Sequence, residues 1–504
     1  MGLSTASTLT DRPWRAVPGP ADRETFFAAQ ARNRRATWRL TALCLIGVLL
    51  MGLPISAVIT PLVFAALFLV ADLANLVWPG SPPWSAFGSA DHTPLVPHLP
   101  HWAAGVIGVI LLIGPGALVV ALAWIGTRAL FRRAGPEALV RSLGGRPPKP
   151  GDLEEHQLGN LVAEMAIAAG VKPPAVMLLD GAVANAAVLG SSHDDAVVLV
   201  SRRLLDELDR DETQAVVAHL VGAAGNGDLR VALSMLALFR TTALLLTALG
   251  AALGPTSRRI LVQLIRLAAR PHGATGEAPD LARVDELLAK SSDLGEAHAS
   301  PSAGPRKIAV VDIVRAPLMM AHFAIWMCRL AFMSFVVSPL LALLWRRRRY
   351  LADATAVQLT RNPDAVARAL ASLSAKGGEI PGAGWAAPLC IIGPRSGHAG
   401  PMGPGGAKSG ILGDDLGILS FDPPMQPRMA RLRRQGASID LAVAPYRYSP
   451  ATVACVTLVA TVVGALLSGC ALMMTGVALA MDLMLLVPMI ALTHLLLRLL
   501  FGGL

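Results

Sequence analysis

The chain has 504 residues, 54% of them hydrophobic and only 15% charged, with a mean hydropathy of +0.54. A soluble globular protein carries about a quarter charged residues, so this composition excludes a wholly water-soluble fold and fits a lipid-embedded protein with one soluble module. Net charge is +10, but the basic residues cluster beside apolar segments and lack aromatic interleaving, which points to anionic headgroups and away from nucleic acid. Cysteines stand scattered at Cys44, Cys328, Cys390, Cys455 and Cys470 with no C-x-x-C, so neither a disulfide framework nor a Cys zinc site is supported.

Residues 1–37 form a polar segment ending in Arg32, Arg34 and Arg35, too long and too basic for a cleaved signal peptide. Residues 38–126 follow as two transmembrane spans. The first apolar run, Leu40 to Val77, exceeds the roughly 20 residues needed to cross a bilayer, and Pro54 and Pro61 kink it. The loop 78–101 contains no Lys or Arg, whereas Arg128, Arg132 and Arg133 follow the second span, Trp102 to Trp124. Positive-inside counting therefore places that loop outside and the N-terminus and soluble domain in the cytoplasm. Asp91, His92, His98 and His101 in the loop match no metal-site spacing and read as solvated juxtamembrane groups.

Residues 127–230 form the first part of the soluble domain, of which 137–230 read as α/β, with a helix near Gln157 to Ala169 and strands at Ala175 to Leu179 and Ala196 to Ser201. Helices around Arg202 to Leu208 and Asp211 to Asn226 complete this part, and Asp152, Glu154 and Glu155 read as a solvated charge cluster. Residues 231–345 hold two membrane-embedded apolar helices, Val231 to Leu253 and Ile308 to Trp345, separated by a flexible insertion at 270–306. Arg240 interrupts the first, and Arg315, His322 and Arg329 share one face of the second. A charge at the bilayer midplane costs roughly 2.5 to 3.5 kcal/mol, so those faces turn to the domain or to a wet cavity. Residues 346–446 return to the soluble domain, with a Gly- and Pro-rich loop at 376–420. Residues 447–504 form a C-terminal hairpin of two spans, Thr452 to Met474 and Ala478 to Leu500.

The run Ala218-His219-Leu220-Val221-Gly222-Ala223-Ala224-Gly225-Asn226-Gly227-Asp228 resembles the zinc helix of the HtpX-type membrane metallopeptidases, a broad family that includes the CAAX prenyl endopeptidases. In that family the helix reads A-H-E-L-G-H-x-x-N-G-D, with two His at i and i+4 gripping zinc and the Glu acting as general base. The resemblance covers residues 127–435. It extends to Pro173 through Leu179, to Asn185-Ala186-Ala187, and to the lead-in from Leu204 to Glu212. Arg348-Arg349-Tyr350-Leu351-Ala352-Asp353-Ala354 is similar to R-E-[FY]-x-A-D-A, whose Glu is the third ligand. Asn362-Pro363-Asp364-Ala365 and Asp422-Pro423-Pro424-Met425-Gln426-Pro427-Arg428 resemble the N-P-x-A helix start and the H-P-P-x-x-x-R tail, with Asp422 for the His.

The resemblance implies a membrane α-helical protein with a cytoplasmic α+β gluzincin-like peptidase domain, multi-pass in the cell (inner) membrane. It also exposes three departures. Leu220 stands where the base belongs, Ala223 and Arg349 replace two ligands, and only His219 remains. One imidazole cannot hold zinc tightly, and a fixed guanidinium repels the ion, so no bound cofactor is expected. The residues also have plain structural readings. His219 is retained by descent, Leu220 and Ala223 are helix formers, and Arg349 anchors a membrane-flanking run or pairs with Asp353 one turn on. Asn226 and Asp228 cap or orient the helix end. In the family the edge strand beside the zinc helix pairs with substrate backbone, which makes Asn185, Ala186 and Ala187 the peptide-binding edge.

The reading that follows is a pseudoprotease binding unfolded or membrane polypeptides without hydrolysis, with the lipid bilayer, an active paralogue or another copy as further partners. Two others stay open. One is an active zinc endopeptidase in proteolytic quality control, recruiting His193, His298 or His322 with a nearby carboxylate; the other is a structural membrane scaffold with no peptide groove.

Overall fold

The computed structural model describes residues 24–39, 100–136, 140–141, 143–181, 183–269, 338–378, 389–392 and 423–438, together with isolated positions such as 60, 322 and 499. Asp91, His92, His98, His298, Arg315 and Arg329 lie outside the described residues, as do most of the first span, most of the 270–306 insertion and of the 376–420 loop, and much of the C-terminal hairpin.

In chain order the principal elements are α1 (His101–Ala134), β1 (Gly145–Arg146), α2 (Leu153–Ala169), β2 (Ala175–Leu179), β3 (Ala186–Leu189) and β4 (Val197–Ser201). They continue with α3 (Arg202–Glu207), α4 (Arg210–Gly225), α5 (Asp228–Leu253), α6 (Pro255–Ala269), α7 (Ser338–Thr360), α8 (Pro363–Lys376) and α9 (Met425–Arg434). Local chemistry sets many boundaries. Asp152 caps α2 by accepting from the backbone N–H of Glu154 and Glu155, and Gly170 closes it in the left-handed conformation, φ 67°. Asp209 and Glu212 form a reciprocal capping box at the start of α4. Asn362 caps α8, and Pro363 occupies its first turn, where the missing N–H costs nothing.

The sheet order is β1-β2-β4-β3, with β2 and β4 parallel and the outer pairs antiparallel. Strands β3 and β4 are buried on both faces, and alternate side chains of the sheet enter different cores. Leu178, Ala186, Val188, Val198 and Val200 pack with α2, α4, α7 and α8. Met177, Leu179, Ala187, Leu189, Val197 and Leu199 meet Met235 and Leu236 of α5 and Leu341, Leu344 and Trp345 of α7. Helix α5 thus covers the sheet at its start, and its span Asp228–Ala251 is long and apolar enough to cross a membrane, the one such helix among the described residues. Arg240 within it is 5% exposed and faces protein.

Helix α4 is the centre of the domain, packed on α2, α7, α8 and β3. Gly222 lets α7 approach closely, because a Cβ there would stand 2.8 Å from Thr355 Cγ2. Gly227 at φ 81° then turns the chain from α4 into α5.

Two expectations need correction. Glu155 is not solvated: it is 1% exposed and held by Arg146 and by the Lys149 N–H, while Asp152 and Glu154 bind Arg202. The run ending in Arg349 is not a displayed membrane anchor, since Arg348 and Arg349 are 6% and 5% exposed inside the domain.

Candidate functional site

Three side chains from three helices meet inside the domain. His219 on α4 is 2% exposed, and its Nδ1 lies 3.0 Å from Oδ1 of Asp353 on α7. Arg428 on α9 donates to the same carboxylate through Nε to Oδ2 at 2.9 Å and Nη2 to Oδ1 at 2.7 Å, the planar fork geometry that suits guanidinium. Burial by itself pushes the Asp353 carboxyl up, but the Arg428 charge and the His219 and Arg428 contacts outweigh it and hold the group well below the carboxylate range. For His219 burial dominates. It pulls the imidazole below its ordinary value despite the favourable Asp353 carboxylate, with Arg428 and Arg349 adding to the depression. The centre at neutral pH is therefore a neutral imidazole against a carboxylate–guanidinium pair.

One helical step from His219, Leu220 is 1% exposed and Ala223 is 7% exposed, both within the apolar core. Arg349 on α7 sends its guanidinium to the carbonyl oxygen of Cys390. Arg348 pairs with Asp228 and also donates from Nη2 to the Asn226 carbonyl at 2.7 Å, tying α7 to the α4–α5 turn. Asn226 returns a bond of 3.0 Å from Nδ2 to Thr355 Oγ1. Asn185, Ala186 and Ala187 lie at 0–1% exposure. Asn185 Nδ2 donates to the carbonyls of Gly378 at 2.7 Å and Ile392 at 2.9 Å, and the Ile391 N–H donates to Ala186 O at 2.7 Å. The outer side of β3 is thus occupied by residues 390–392 of the same chain, with Ala187 and Cys390 bridged antiparallel.

Residues 152–275 match peptidase family M48. A protease HtpX homolog of Dictyoglomus thermophilum is 26% identical over 301 residues, 60% of this chain and 75% of that protein. Protease HtpX of Vibrio parahaemolyticus is 41% identical over 91 residues, 18% of this chain and 32% of that protein. The chain is an HtpX-type member of peptidase family M48. No solved structure matches it.

The Asp353 carboxylate stands beside Nδ1 of His219, the side from which a carboxylate can orient a metal-binding histidine through its far nitrogen. The groups at the other matched positions are different in kind. Leu220 and Ala223 carry no lone pair, and Arg349 offers only N–H donors and a positive charge. No group of three His, Cys, Asp or Glu able to hold a metal occurs among the described residues.

Of the substitute ligands, the two that lie among the described residues do not converge on His219. His193 is 41% exposed in the β3–β4 turn beside Asp194, and His322 packs by Gly250, about 30 Å of helix along α5 from Asp228 by the 1.5 Å rise per residue. Arg428 is the functional residue that reading the sequence left without a role. The signal for it was the terminal Arg of the Asp422–Arg428 segment, but nothing local links that segment to Asp353, 75 positions earlier.

Proposed function

We propose that this HtpX-type chain is a multi-pass membrane pseudoprotease that engages polypeptide or a membrane protein without hydrolysing it. The observation that carries the reading is the chemistry at the three matched positions. Zinc of the two-His, one-carboxylate kind needs three donors and an open fourth place. Here the three ligand positions hold one imidazole, one methyl side chain and a guanidinium, so the residues do not fit the ion. Leu220 cannot carry a proton, which removes the general base independently of the metal. The oriented His219 and the tight packing around it support retention of the scaffold for binding and for structural integrity. Topology follows the charge pattern, with the loop 78–101 outside and both termini and the domain on the cytoplasmic side.

Metal content of the detergent-purified protein tests the reading directly, with His219→Ala as control and unfolded casein as the proteolysis probe. The expected result is negligible zinc and no cleavage in either form. Stoichiometric zinc that disappears in the control, together with cleavage, would restore the enzyme reading. The triple change Leu220→Glu, Ala223→His and Arg349→Glu should create zinc affinity that the parent lacks, because Asp353 already orients the remaining imidazole.

A further inference from the structure

An outer strand presents backbone N–H and C=O groups that another extended segment can pair with. In this chain that place on β3 is held by a short stretch of the same polypeptide. The pairing is small: Ile391 N to Ala186 O at 2.7 Å, and the single Ala187–Cys390 bridge. Asn185 clamps the end of the stretch, donating to Ile392 O at 2.9 Å and accepting from Ile392 N at 3.4 Å. Cys390 and Ile391 are 3% and 1% exposed, so the stretch also plugs apolar sockets beside the strand. Arg349, where the matched motif has a carboxylate, donates to the carbonyl of Cys390. A carboxylate there could not make this bond, since it has no proton to give and would repel a carbonyl oxygen.

We propose that Leu389–Ile392 is the chain's own occupant of the polypeptide-binding edge and that Arg349 is its latch. This deepens the binding reading of the proposed function and rests on it. An incoming extended polypeptide pairs with β3 by displacing the stretch. The sockets it inherits were filled by Cys390 and Ile391, so the ligand class is an extended segment carrying a small residue followed by branched apolar ones. Displacement is feasible because the resident pairing is one bridge long, whereas a longer segment can pair along the whole of Ala186–Leu189.

The test uses the full-length protein in detergent and a photoreactive hexapeptide of the 388–393 sequence with serine for the cysteine. Arg349→Gln removes the charged donor, and Ile391→Pro removes the N–H that bonds Ala186, each by a different route. Loss of a hydrogen bond from a charged group shifts such an equilibrium by about tenfold or more, so labelling within residues 185–189 should rise by that factor in both variants. Hydrogen exchange in fragments spanning 389–392 should quicken in parallel, with far-UV circular dichroism and the melting temperature confirming that the domain stays folded. Equal labelling of native protein and variants overturns the latch and leaves polypeptide binding standing. Slow exchange of 389–392 in both folded variants also overturns the latch. Fast exchange without labelling means that the stretch leaves but the edge takes no polypeptide, which sinks the binding reading itself.

Discussion

Asp353 sits between His219 Nδ1 at 3.0 Å and the Arg428 guanidinium at 2.7 and 2.9 Å, with all three side chains buried. Removing one partner from such a set strands a charge in the interior, which costs about 3 to 5 kcal/mol. Arg428→Ala should lower unfolding free energy by that amount in denaturant titrations, and Arg428→Lys should recover only part of it, because a point charge cannot bond both oxygens. Glu155 makes a second prediction, about pH. Bonds from Arg146, opposed by burial and helped by the Lys149 N–H, lower its carboxyl from 4.5 to about 2. A depressed acid stabilises the fold fully above its unfolded value and loses that contribution as pH falls through the folded one. The stability gap between the native protein and Glu155→Gln should be about 2 kcal/mol near pH 6 and should close as pH drops from 4.5 toward 2.

The junction of α4 and α7 is set by Gly222 against Thr355. Gly222→Ala forces its new methyl to within 2.8 Å of Thr355 Cγ2, and overpacking of this kind costs about 1 to 3 kcal/mol. Thr355→Ser deletes that methyl while keeping an oxygen for Asn226. The double variant should therefore be more stable than the sum of the single changes by at least about 1 kcal/mol, measured as the coupling energy of a double-mutant cycle. Most helices and strands here were legible in advance because their signals are local. The reading of Asp211 to Asn226 became Arg210–Gly225, and the strand read from Ala196 became Val197–Ser201. Asn185 was read as the approach to an edge strand, and β3 does begin at Ala186. What covers that edge was not legible, because the bond from Asn185 to Ile392 joins residues 207 positions apart.

Large apolar side chains stand exposed along α1, among them Val106, Ile110, Leu118, Leu122 and Ile125, and again at Leu458, Leu466 and Met473 near the C-terminus. Patches of that extent need lipid or a partner. The protein should remain in the membrane pellet after alkaline carbonate extraction. In a background without the five native cysteines, Ser89→Cys should react with an impermeant maleimide added to intact cells. Asp194→Cys, 69% exposed as the native side chain, should react only after permeabilisation, and the reverse pattern would overturn the topology.

Several facts about this protein were determined by the sequence alone. The apolar excess, the motif spacing and the caps of the helices depend on residue type and near neighbours, so they pointed to an HtpX-type scaffold with Leu220, Ala223 and Arg349 at the motif positions of its base and two of its ligands. The sequence was silent about what those positions do now. Only the folded chain decided that Arg428 secures Asp353, that Arg349 reaches Cys390 and that residues 390–392 lie on β3. Each of those contacts is made across tens to hundreds of residues, where no period or local propensity operates and burial alone selects the partner.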